Sequence, residues 1–527
     1  MNLRQHSRLA SAEQATRLSR APRGRPNTAL HVTGIALSAV AVGMGICTIV
    51  EWASTNTDTI AMLISTVVCG ALGAALWRGT RADSVRTRAI FAAVGWTWLI
   101  VTLVGALPYV LAGTFSPGGT DFVEQVVNSV FEAASGFSCT GSTSFVAAEF
   151  EQTGRGLMMY RQATQWYGGM GIVVLAVTIL PFLGVGGLDL ITAEAPGEAG
   201  DRLTPRVSET ARRLWAIYVA FTLIVMAALF AVPGPSFYDS IAHALTTTST
   251  GGFSPYGASI GHYDSIVVEL VIMAGMLYGG ANFALHWRAV RGEYRAYSKD
   301  AEFRGYVGMI VVSVSVVVAV LLLDSPYSVG EAFRTGAFNV ISLGTSTGFG
   351  SATGPNSPGD FVTWAPAAQM VILFLFVSGG STGSTSGGIK VMRVQVLFAH
   401  TIRSIRRTQH PRAVLPVKHG STAVAEDIVS RMAGFILLYA LLIGVGVLLV
   451  TGLGGDLDAS IGGIIGSLGN MGPSLGEAGP TASFSTAFSQ PARLVLALFM
   501  LIGRLEIFPM LLMFAAPYRA VNDRLRR

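Results

Sequence analysis

Long apolar segments follow one another along almost the whole chain, and only short polar connections separate them. A helix needs about 20 apolar residues to cross the hydrocarbon core of a bilayer. Ten segments are apolar over roughly that length or more, so each predicts a membrane-spanning helix. They are residues 32–50, 60–77, 89–112, 157–180, 214–232, 266–285, 306–323, 365–397, 428–450 and 494–516.

Four shorter apolar segments lie among the last eight spans, one inside each successive pair: residues 122–136, 236–248, 329–344 and 457–468. Each is too short to cross a bilayer, which favours re-entrant helices that enter, turn and leave on one side. A stretch rich in glycine, serine and threonine follows each of them, at residues 135–144, 246–257, 342–354 and 467–476. This layout, found four times in order, indicates an internal repeat.

The fold class predicted from this layout is an all-α polytopic membrane protein. Two leading transmembrane helices precede four pseudo-fourfold helix–pore-helix–helix repeats, which surround a single pore. The predicted boundaries are an N-terminal tail at 1–31, the leading hairpin at 32–88, and repeats at 89–200, 201–300, 301–420 and 421–527.

Charged residues make up only 13% of the chain, whereas a soluble domain carries roughly 25%. The cationic side chains concentrate in the connections that follow the hairpin and each repeat, and in the C-terminal tail. Because cytoplasmic connections are the positive ones, both termini are predicted to be cytoplasmic and the four glycine-rich stretches to enter from outside. The three scattered cysteines show no disulfide framework and no metal-ligand spacing.

The glycine-rich stretches have the chemistry of a cation path. A bare alkali cation can cross a membrane only if protein oxygens replace its water, and non-helical backbone that lines a cavity supplies carbonyl oxygens. Glycine permits the necessary backbone angles and leaves the path open. The alternative is that these glycines only allow close helix packing; that reading stays open for residues 168–171.

Four turns in this order resemble the selectivity-filter turns of the Trk/Ktr/HKT superfamily of potassium transporters. Residues 165–187, 379–393 and 503–509, together with the leading hairpin, resemble its TrkH-type branch. The resemblance implies an ion-binding filter whose backbone carbonyls hold K⁺, with Gly251 or Gly252 as the glycine of the second turn. The implied filter residues are Cys139, Thr140, Gly141, Thr250, Gly251, Gly252, Thr347, Gly348, Met471 and Gly472. Glycine at 141 favours potassium, because serine occupies that position in sodium-permeable plant relatives.

A second implied element is a gate. Residues 378–388 are entirely glycine, serine and threonine within the unusually long apolar segment 365–397, and such a stretch forms a poor helix. By resemblance it obstructs the pore below the filter; the alternative is a glycine kink without function. The implied gate residues are Gly379, Gly380, Ser381, Thr382, Gly383, Ser384, Thr385, Ser386, Gly387, Gly388 and Arg504.

Several charges lie near these elements. Arg504 is implied to be an electrostatic barrier in the pore, and a salt bridge that locks helices is the alternative for Arg504 and Glu506. We expect Lys390 and Arg393 to be cytoplasmic anchors. We expect the acids near the first turn to be solvated loop charges, and attraction of cations to the pore mouth is the alternative; they are Asp121, Glu124, Glu132, Glu149 and Glu151.

The function implied by the resemblance is passive potassium uptake through the plasma membrane of a bacterium. The implied assembly is a homodimer with a cytoplasmic ring of RCK-type, TrkA-like subunits. We expect no covalently bound cofactor, no nucleic-acid partner and no enzymatic activity, and a regulatory nucleotide only on the partner ring. The rival prediction is a secondary transporter coupled to H⁺ or Na⁺, although the repeats are parallel and no acidic residue lies centrally to carry a proton.

Overall fold

The computed structural model describes residues 25–81, 87–115, 121–183, 203–324, 327–507 and 510, and their side chains except at 25, 87–92, 172–183 and 203–208. Almost all regular structure in these ranges is helical. The helices are α1 Thr28–Ser54, α2 Thr59–Gly79, α3 Thr87–Gly105, α4 Leu107–Ala112, α5 Phe122–Phe137, α6 Ala147–Gln152, α7 Arg155–Leu183, α8 Leu203–Phe230, α9 Phe237–Thr248, α10 Ile266–Gly279, α11 Phe283–Val290, α12 Arg295–Lys299, α13 Ala301–Asp324, α14 Val329–Gly344, α15 Pro366–Val377, α16 Val391–Gln409, α17 Glu426–Gly452, α18 Leu457–Gly469, α19 Phe484–Ala487 and α20 Gln490–Arg504. Three short 3-10 helices (Ser259–Tyr263, Phe361–Thr363 and Gly476–Ala478) and two short strand pairs accompany them. β1 (Arg25–Pro26) lies parallel to β2 (Thr80–Arg81), and β3 (Val417–His419) antiparallel to β4 (Thr422–Val424).

The outer helices are suited to a lipid environment. Within the described ranges, six helices are long and apolar enough to cross a membrane, and α10 with α11 would make a seventh span if counted as one bent pair. Large apolar side chains on their outward faces are exposed, for example Ile49, Leu323 and Leu437. Water would disfavour such a surface, whereas hydrocarbon would not. The chain is therefore a multi-pass membrane protein.

Four short helices, α5, α9, α14 and α18, match the predicted re-entrant segments to within one residue at each end. Each begins at a residue whose side-chain oxygen accepts a backbone N–H of the first turn, which satisfies donors that the helix leaves unpaired. These N-terminal caps are Asp121, Ser236, Ser328 and Asp456. The polar caps explain why these helices start where they do despite their apolar neighbours.

Two predicted spans are wrong as continuous helices. Segment 266–285 is broken at residues 280–282, where the chain bends by 100° between α10 and α11. In segment 494–516, α20 ends at Arg504, and Glu506 and Ile507 have positive φ. The break predicted within 365–397 is confirmed, since α15 ends at Val377 and α16 begins at Val391. The tail at 1–24 and residues 511–527 lie outside the described residues.

Candidate functional site

Four backbone turns that begin alike follow the four short helices. We name them loop 1 (residues 139–141), loop 2 (250–252), loop 3 (346–348) and loop 4 (470–472). The first residue of each has a left-handed backbone, with φ between 48° and 54°; these residues are Cys139, Thr250, Ser346 and Asn470. A middle residue and a glycine follow. By this equivalence Gly252, and not Gly251, is the loop 2 counterpart of Gly141 and Gly348.

The four glycines lie around one centre. A β-carbon on Gly141 would lie 2.3 Å from a carbonyl oxygen of loop 2, and one on Gly252 would lie 2.1 Å from the carbonyl oxygen of Thr347. A β-carbon on Gly348 would lie 2.8 Å from the amide nitrogen of Gly472, and one on Gly472 would lie 2.8 Å from the carbonyl carbon of Gly141. The loops thus meet in the closed order 1–2–3–4, and backbone approaches this close leave no room for side chains.

This ring has an opening. A cavity of about 60 Å³ is lined by all four ring glycines, together with residues such as Ser142 and Tyr256 that follow the loops in sequence. The ring therefore borders a narrow cavity.

Carbonyl oxygens of the ring are available for a ligand. Buried carbonyls are nearly always hydrogen-bonded in proteins. Ten of the twelve loop carbonyls accept no hydrogen bond from any described residue: those of Cys139, Thr140, Gly141, Thr250, Gly252, Ser346, Thr347, Gly348, Asn470 and Met471. Oxygen atoms without donors, gathered around one cavity, are the ligands that a desolvated alkali cation requires.

Side-chain hydroxyl groups stabilise the loops. In loop 1, Thr140 shares a hydrogen bond of 2.6 Å with Ser138, and in loop 3 Thr347 shares one of 2.7 Å with Thr345. Loops 1 and 4 are also joined directly, because Ser142 Oγ donates to the carbonyl oxygen of Gly472 at 2.7 Å. These hydroxyls maintain the loop shape, so the backbone carbonyls are the main groups left for an ion.

A buried ion pair binds the backbone that follows loops 1 and 2, and its arginine, Arg161, also lines the cavity. Arg161 on α7 donates to Glu132 at 2.6 Å and to the carbonyl oxygen of Ser254 at 2.9 Å. Glu132 also accepts the N–H of Ser144 at 2.9 Å. Sequence reasoning missed Arg161, although a cation inside the apolar span 157–180 was a usable signal.

The preference for solvated acids near the first turn was only partly right. Asp121 and Glu151 are exposed, as expected, whereas Glu132 is fully buried in its ion pair. Glu149, in the outer helix α6, is also buried, and burial raises the pKa of its carboxyl to about 7. Glu124 is half-buried and pairs with Arg493. Partners distant in sequence withdraw Glu132 and Glu124 from water, which their local sequence does not show.

The predicted gate segment lies directly against the ends of two short helices. Thr385 donates to the carbonyl oxygen of Thr248 at the end of α9, at 3.3 Å. Ser386 donates to the carbonyl oxygen of Thr345 beside α14, at 2.8 Å, and Gly387 N–H donates to Ser346 Oγ at 2.6 Å. Residues 378–390 thus form an irregular, buried segment in contact with loop 3.

Glu302, at the start of α13, binds this segment at Thr382 and binds the first turn of α16 just beyond it. Its carboxylate accepts the N–H of Thr382 at 2.7 Å and the N–H of Met392 at 3.1 Å. The side chain is buried, and it has no ion-pair partner among the described residues. Sequence reasoning missed it because it lies at the polar edge of an apolar span, where an acid is ordinary.

Arg504 joins the gate segment to the first repeat. Its guanidinium donates to the carbonyl oxygens of Thr385 at 2.8 Å and Gly168 at 3.0 Å, and to Cys139 Sγ at 3.2 Å. No described carboxylate pairs with it. The salt-bridge alternative applies instead to Glu506, which pairs with Arg393.

The expectation that Lys390 and Arg393 are cytoplasmic anchors is wrong. Both side chains are buried: Lys390 donates to the carbonyl oxygen of Ser386, and Arg393 lies 4.2 Å from the Phe435 ring centroid while it pairs with Glu506. Each has an oxygen partner within the protein, which compensates for the cost of removing the cation from water.

Comparison with known proteins agrees with this architecture. The family model for TrkH, described as a cation transport protein, matches residues 59–523. The chain is 35% identical over 457 residues to the Trk system potassium uptake protein TrkH of Escherichia coli K12, covering 85% of this chain and 90% of that protein. It is 36% identical to the protein of the same name from Halomonas elongata, over 82% of this chain and 86% of that one.

A solved structure resembles the whole fold. The crystal structure of the potassium transporter TrkH from Vibrio parahaemolyticus covers 92% of this chain and 98% of its own, with a TM-score of 0.82 and 31% identity. The fold, the family model and the similar sequences all match TrkH over most of the chain. This chain therefore belongs to the TrkH family of cation transport proteins.

Proposed function

We propose that this protein conducts K⁺, and Rb⁺ with it, passively through the ring formed by loops 1 to 4. The observation that carries the proposal is the set of buried loop carbonyls without hydrogen-bond donors around a glycine-lined cavity. The curated relatives are named potassium uptake proteins, which supports K⁺ as the cargo. K⁺ is the only ligand that the ring requires, and no covalently bound cofactor enters the proposal.

The short helices favour a cation at this position. Each ends immediately before its loop, so the partial negative charge at four helix C-termini lies beside the ring. The driving force is the membrane potential, which is worth about 2.3 kcal/mol for one elementary charge per 100 mV. Passive conduction needs no further energy source.

Segment 378–390 and Arg504 act as the gate in this proposal. The segment contacts loop 3 from one side, and the Arg504 guanidinium binds it while lying next to loop 1 through Cys139. A cation on the conduction path would meet this fixed positive charge. Moving the segment away from the helix ends would open the path.

Regulation is proposed to come from a partner. The gate segment continues directly into α16, which ends with the exposed cations Arg406 and Arg407. A cytoplasmic ring of RCK-type subunits bound to this end would be mechanically connected to the gate, and any regulatory nucleotide would lie on that ring.

We propose a homodimeric assembly in a bacterial plasma membrane with both termini in the cytoplasm.

Uptake of ⁸⁶Rb⁺ into liposomes that contain the purified protein tests the central proposal. With a membrane potential and no gradient of H⁺ or Na⁺, we expect uptake that K⁺ competes with and Na⁺ and Li⁺ do not. Gly141→Ser should weaken both uptake and ion preference, because its β-carbon would collide with loop 2. Gly434→Ser is the matched control, since nothing lies within 4 Å of that position on α17.

Two results would contradict passive conduction. Uptake that requires an H⁺ or Na⁺ gradient would support the coupled transporter instead. Absence of uptake, even in variants that release the gate, would exclude the ring as a conduction path.

A further inference from the structure

Loop 2 has a distinctive composition. Its middle residue is Gly251, whereas the equivalent positions hold Thr140, Thr347 and Met471. In loops 1 and 3 the middle threonine bonds to a hydroxyl at the end of the preceding helix. Loop 2 has no side chain at its middle position to make such a bond.

Gln165 of α7 occupies the space that the missing side chain would fill. A β-carbon on Gly251 would lie only 2.3 Å from Gln165 Oε1. The glutamine is fully buried, and both ends of its carboxamide are used. Nε2 donates to the carbonyl oxygen of Gly251 at 2.6 Å, and Oε1 accepts the N–H of Phe253 at 3.0 Å.

These two hydrogen bonds flank Gly252, the ring glycine of loop 2. A planar carboxamide bound to the C=O before Gly252 and to the N–H after it restrains the rotation of both adjoining peptide units. Loop 1 contacts the same residues: Cys139 Sγ donates to the carbonyl oxygen of Gln165 at 3.0 Å, and a β-carbon on Gly141 would contact the carbonyl oxygen of Gly251. The position of Gly251 therefore influences two neighbouring sides of the ring.

We propose that Gln165 is a positioning residue that fixes the backbone of loop 2 and thereby sets the discrimination between K⁺ and the smaller Na⁺. The inference rests on the proposed function, because it assigns Gln165 to the selectivity of that conduction path. Carbonyl oxygens favour K⁺ over Na⁺ only while the number and arrangement of ligands around the ion are maintained. Without the carboxamide, the peptide units around Gly252 could turn and adapt to Na⁺.

Gln165→Met tests the role of the hydrogen bonds, since methionine is similar in length and volume but cannot bind either backbone group. The measurement is ⁸⁶Rb⁺ uptake into liposomes with K⁺ or Na⁺ as competitor, expressed as the ratio of the two half-blocking concentrations. This ratio does not depend on how much protein is active. We expect the ratio of Na⁺ to K⁺ to fall about tenfold, the scale of a lost buried hydrogen bond.

Gln162→Met is the matched control. Gln162 is a buried glutamine on the same helix, and its carboxamide has no hydrogen-bond partner among the described residues. Its substitution should leave the ratio unchanged. Gly251→Ala perturbs the same contact from the loop, because its methyl group would displace Gln165, and it should lower the ratio in the same way.

The outcomes separate this inference from the proposed function. If neither the wild-type protein nor a variant that releases the gate takes up Rb⁺, the proposed function fails. If wild-type uptake is selective and both Gln165→Met and Gly251→Ala keep the wild-type ratio, the role of Gln165 is overturned while the proposed function stands. If Gln165→Met abolishes uptake altogether, Gly251→Ala alone is the test. A lowered ratio in Gly251→Ala would then support the role of Gln165, and a wild-type ratio would overturn it.

Discussion

Arg504 is 2% exposed, and its charge is not balanced by any described carboxylate. Its guanidinium binds two carbonyl oxygens and a sulfur atom, which are dipolar partners without a full negative charge. Arg493, a buried cation on the same helix, is bound instead by Glu124. The two arginines differ chiefly in whether a carboxylate neutralises the charge. Of the two, only Arg504 leaves a net positive charge close to the ring.

Arg504→Ala should raise ⁸⁶Rb⁺ flux into liposomes by about tenfold or more, because one unit charge near the ion path contributes on the order of 1 kcal/mol or more to the barrier at an effective dielectric constant of about 20. Arg504→Lys keeps the charge and should keep the low flux. Arg493→Ala is the control for a lost buried arginine, and it should not raise flux. Unchanged or lower flux in Arg504→Ala protein that elutes as a single species would count against the barrier.

For single residues, the sequence predicts which side chains matter better than it predicts which residues they contact. Arg504 was identified because a cation in an apolar helix is costly and needs a reason. The misassigned charges, Lys390, Arg393 and Glu132, each lie where local sequence suggests a solvated position. Arg393 meets Glu506, which is 113 positions away, and no local pattern encodes such a contact.

The bounds of the short helices could be predicted closely because the signals that set them are local. Their N-terminal caps and glycine-rich ends are local signals, and α14 matches its predicted bounds at both ends. The bend between α10 and α11 was missed because Gly280, Ala281 and Asn282 hardly interrupt the apolar pattern. Only tertiary contacts reveal it: the gate segment fits against the bend, where Phe283 N–H donates to the carbonyl oxygen of Gly383 at 3.1 Å.

The gate segment is an element whose position depends on contacts from outside it, and Glu302 binds it at Thr382 and binds Met392 just beyond it. Glu302→Met should release Thr382 and Met392 because it removes their shared acceptor. We expect faster hydrogen–deuterium exchange across residues 379–392 and a several-fold increase in ⁸⁶Rb⁺ leak, with exchange in loops 1 and 4 unchanged.

Asp300→Ala provides the comparison for Glu302→Met. Asp300 also accepts a backbone N–H at the start of α13, that of Phe303 at 2.7 Å, but it makes no hydrogen bond to the gate segment. Its loss should leave exchange at 379–392 as in wild type. Equal exchange in the two variants would show that Glu302 does not hold the segment.

Across the whole molecule, four turns distant in sequence form one ring, because each short helix presents its C-terminal end to the same centre. The repeat was readable from the sequence, and it indicated that the turns share one surface of the membrane. The sequence did not predict the contacts between the turns. Only the structure shows that Gly252, and not Gly251, lies against the neighbouring loop. The orientation in the membrane is a prediction from the charge distribution, and it is testable because the native thiols Cys47, Cys69 and Cys139 are all buried.

A single introduced cysteine should therefore report which side of the membrane each connection occupies. Val414 is 94% exposed in the connection after α16, next to a cluster of arginines, so it is predicted to be cytoplasmic. Thr353 is exposed in the connection that follows loop 3, so it is predicted to be external. In intact cells, a membrane-impermeant maleimide should label Thr353→Cys and leave Val414→Cys and the wild type unlabelled, and opening the cells should expose Val414→Cys. The reverse pattern would place the loops on the cytoplasmic side, where the membrane potential would oppose entry of a cation through the ring instead of driving it.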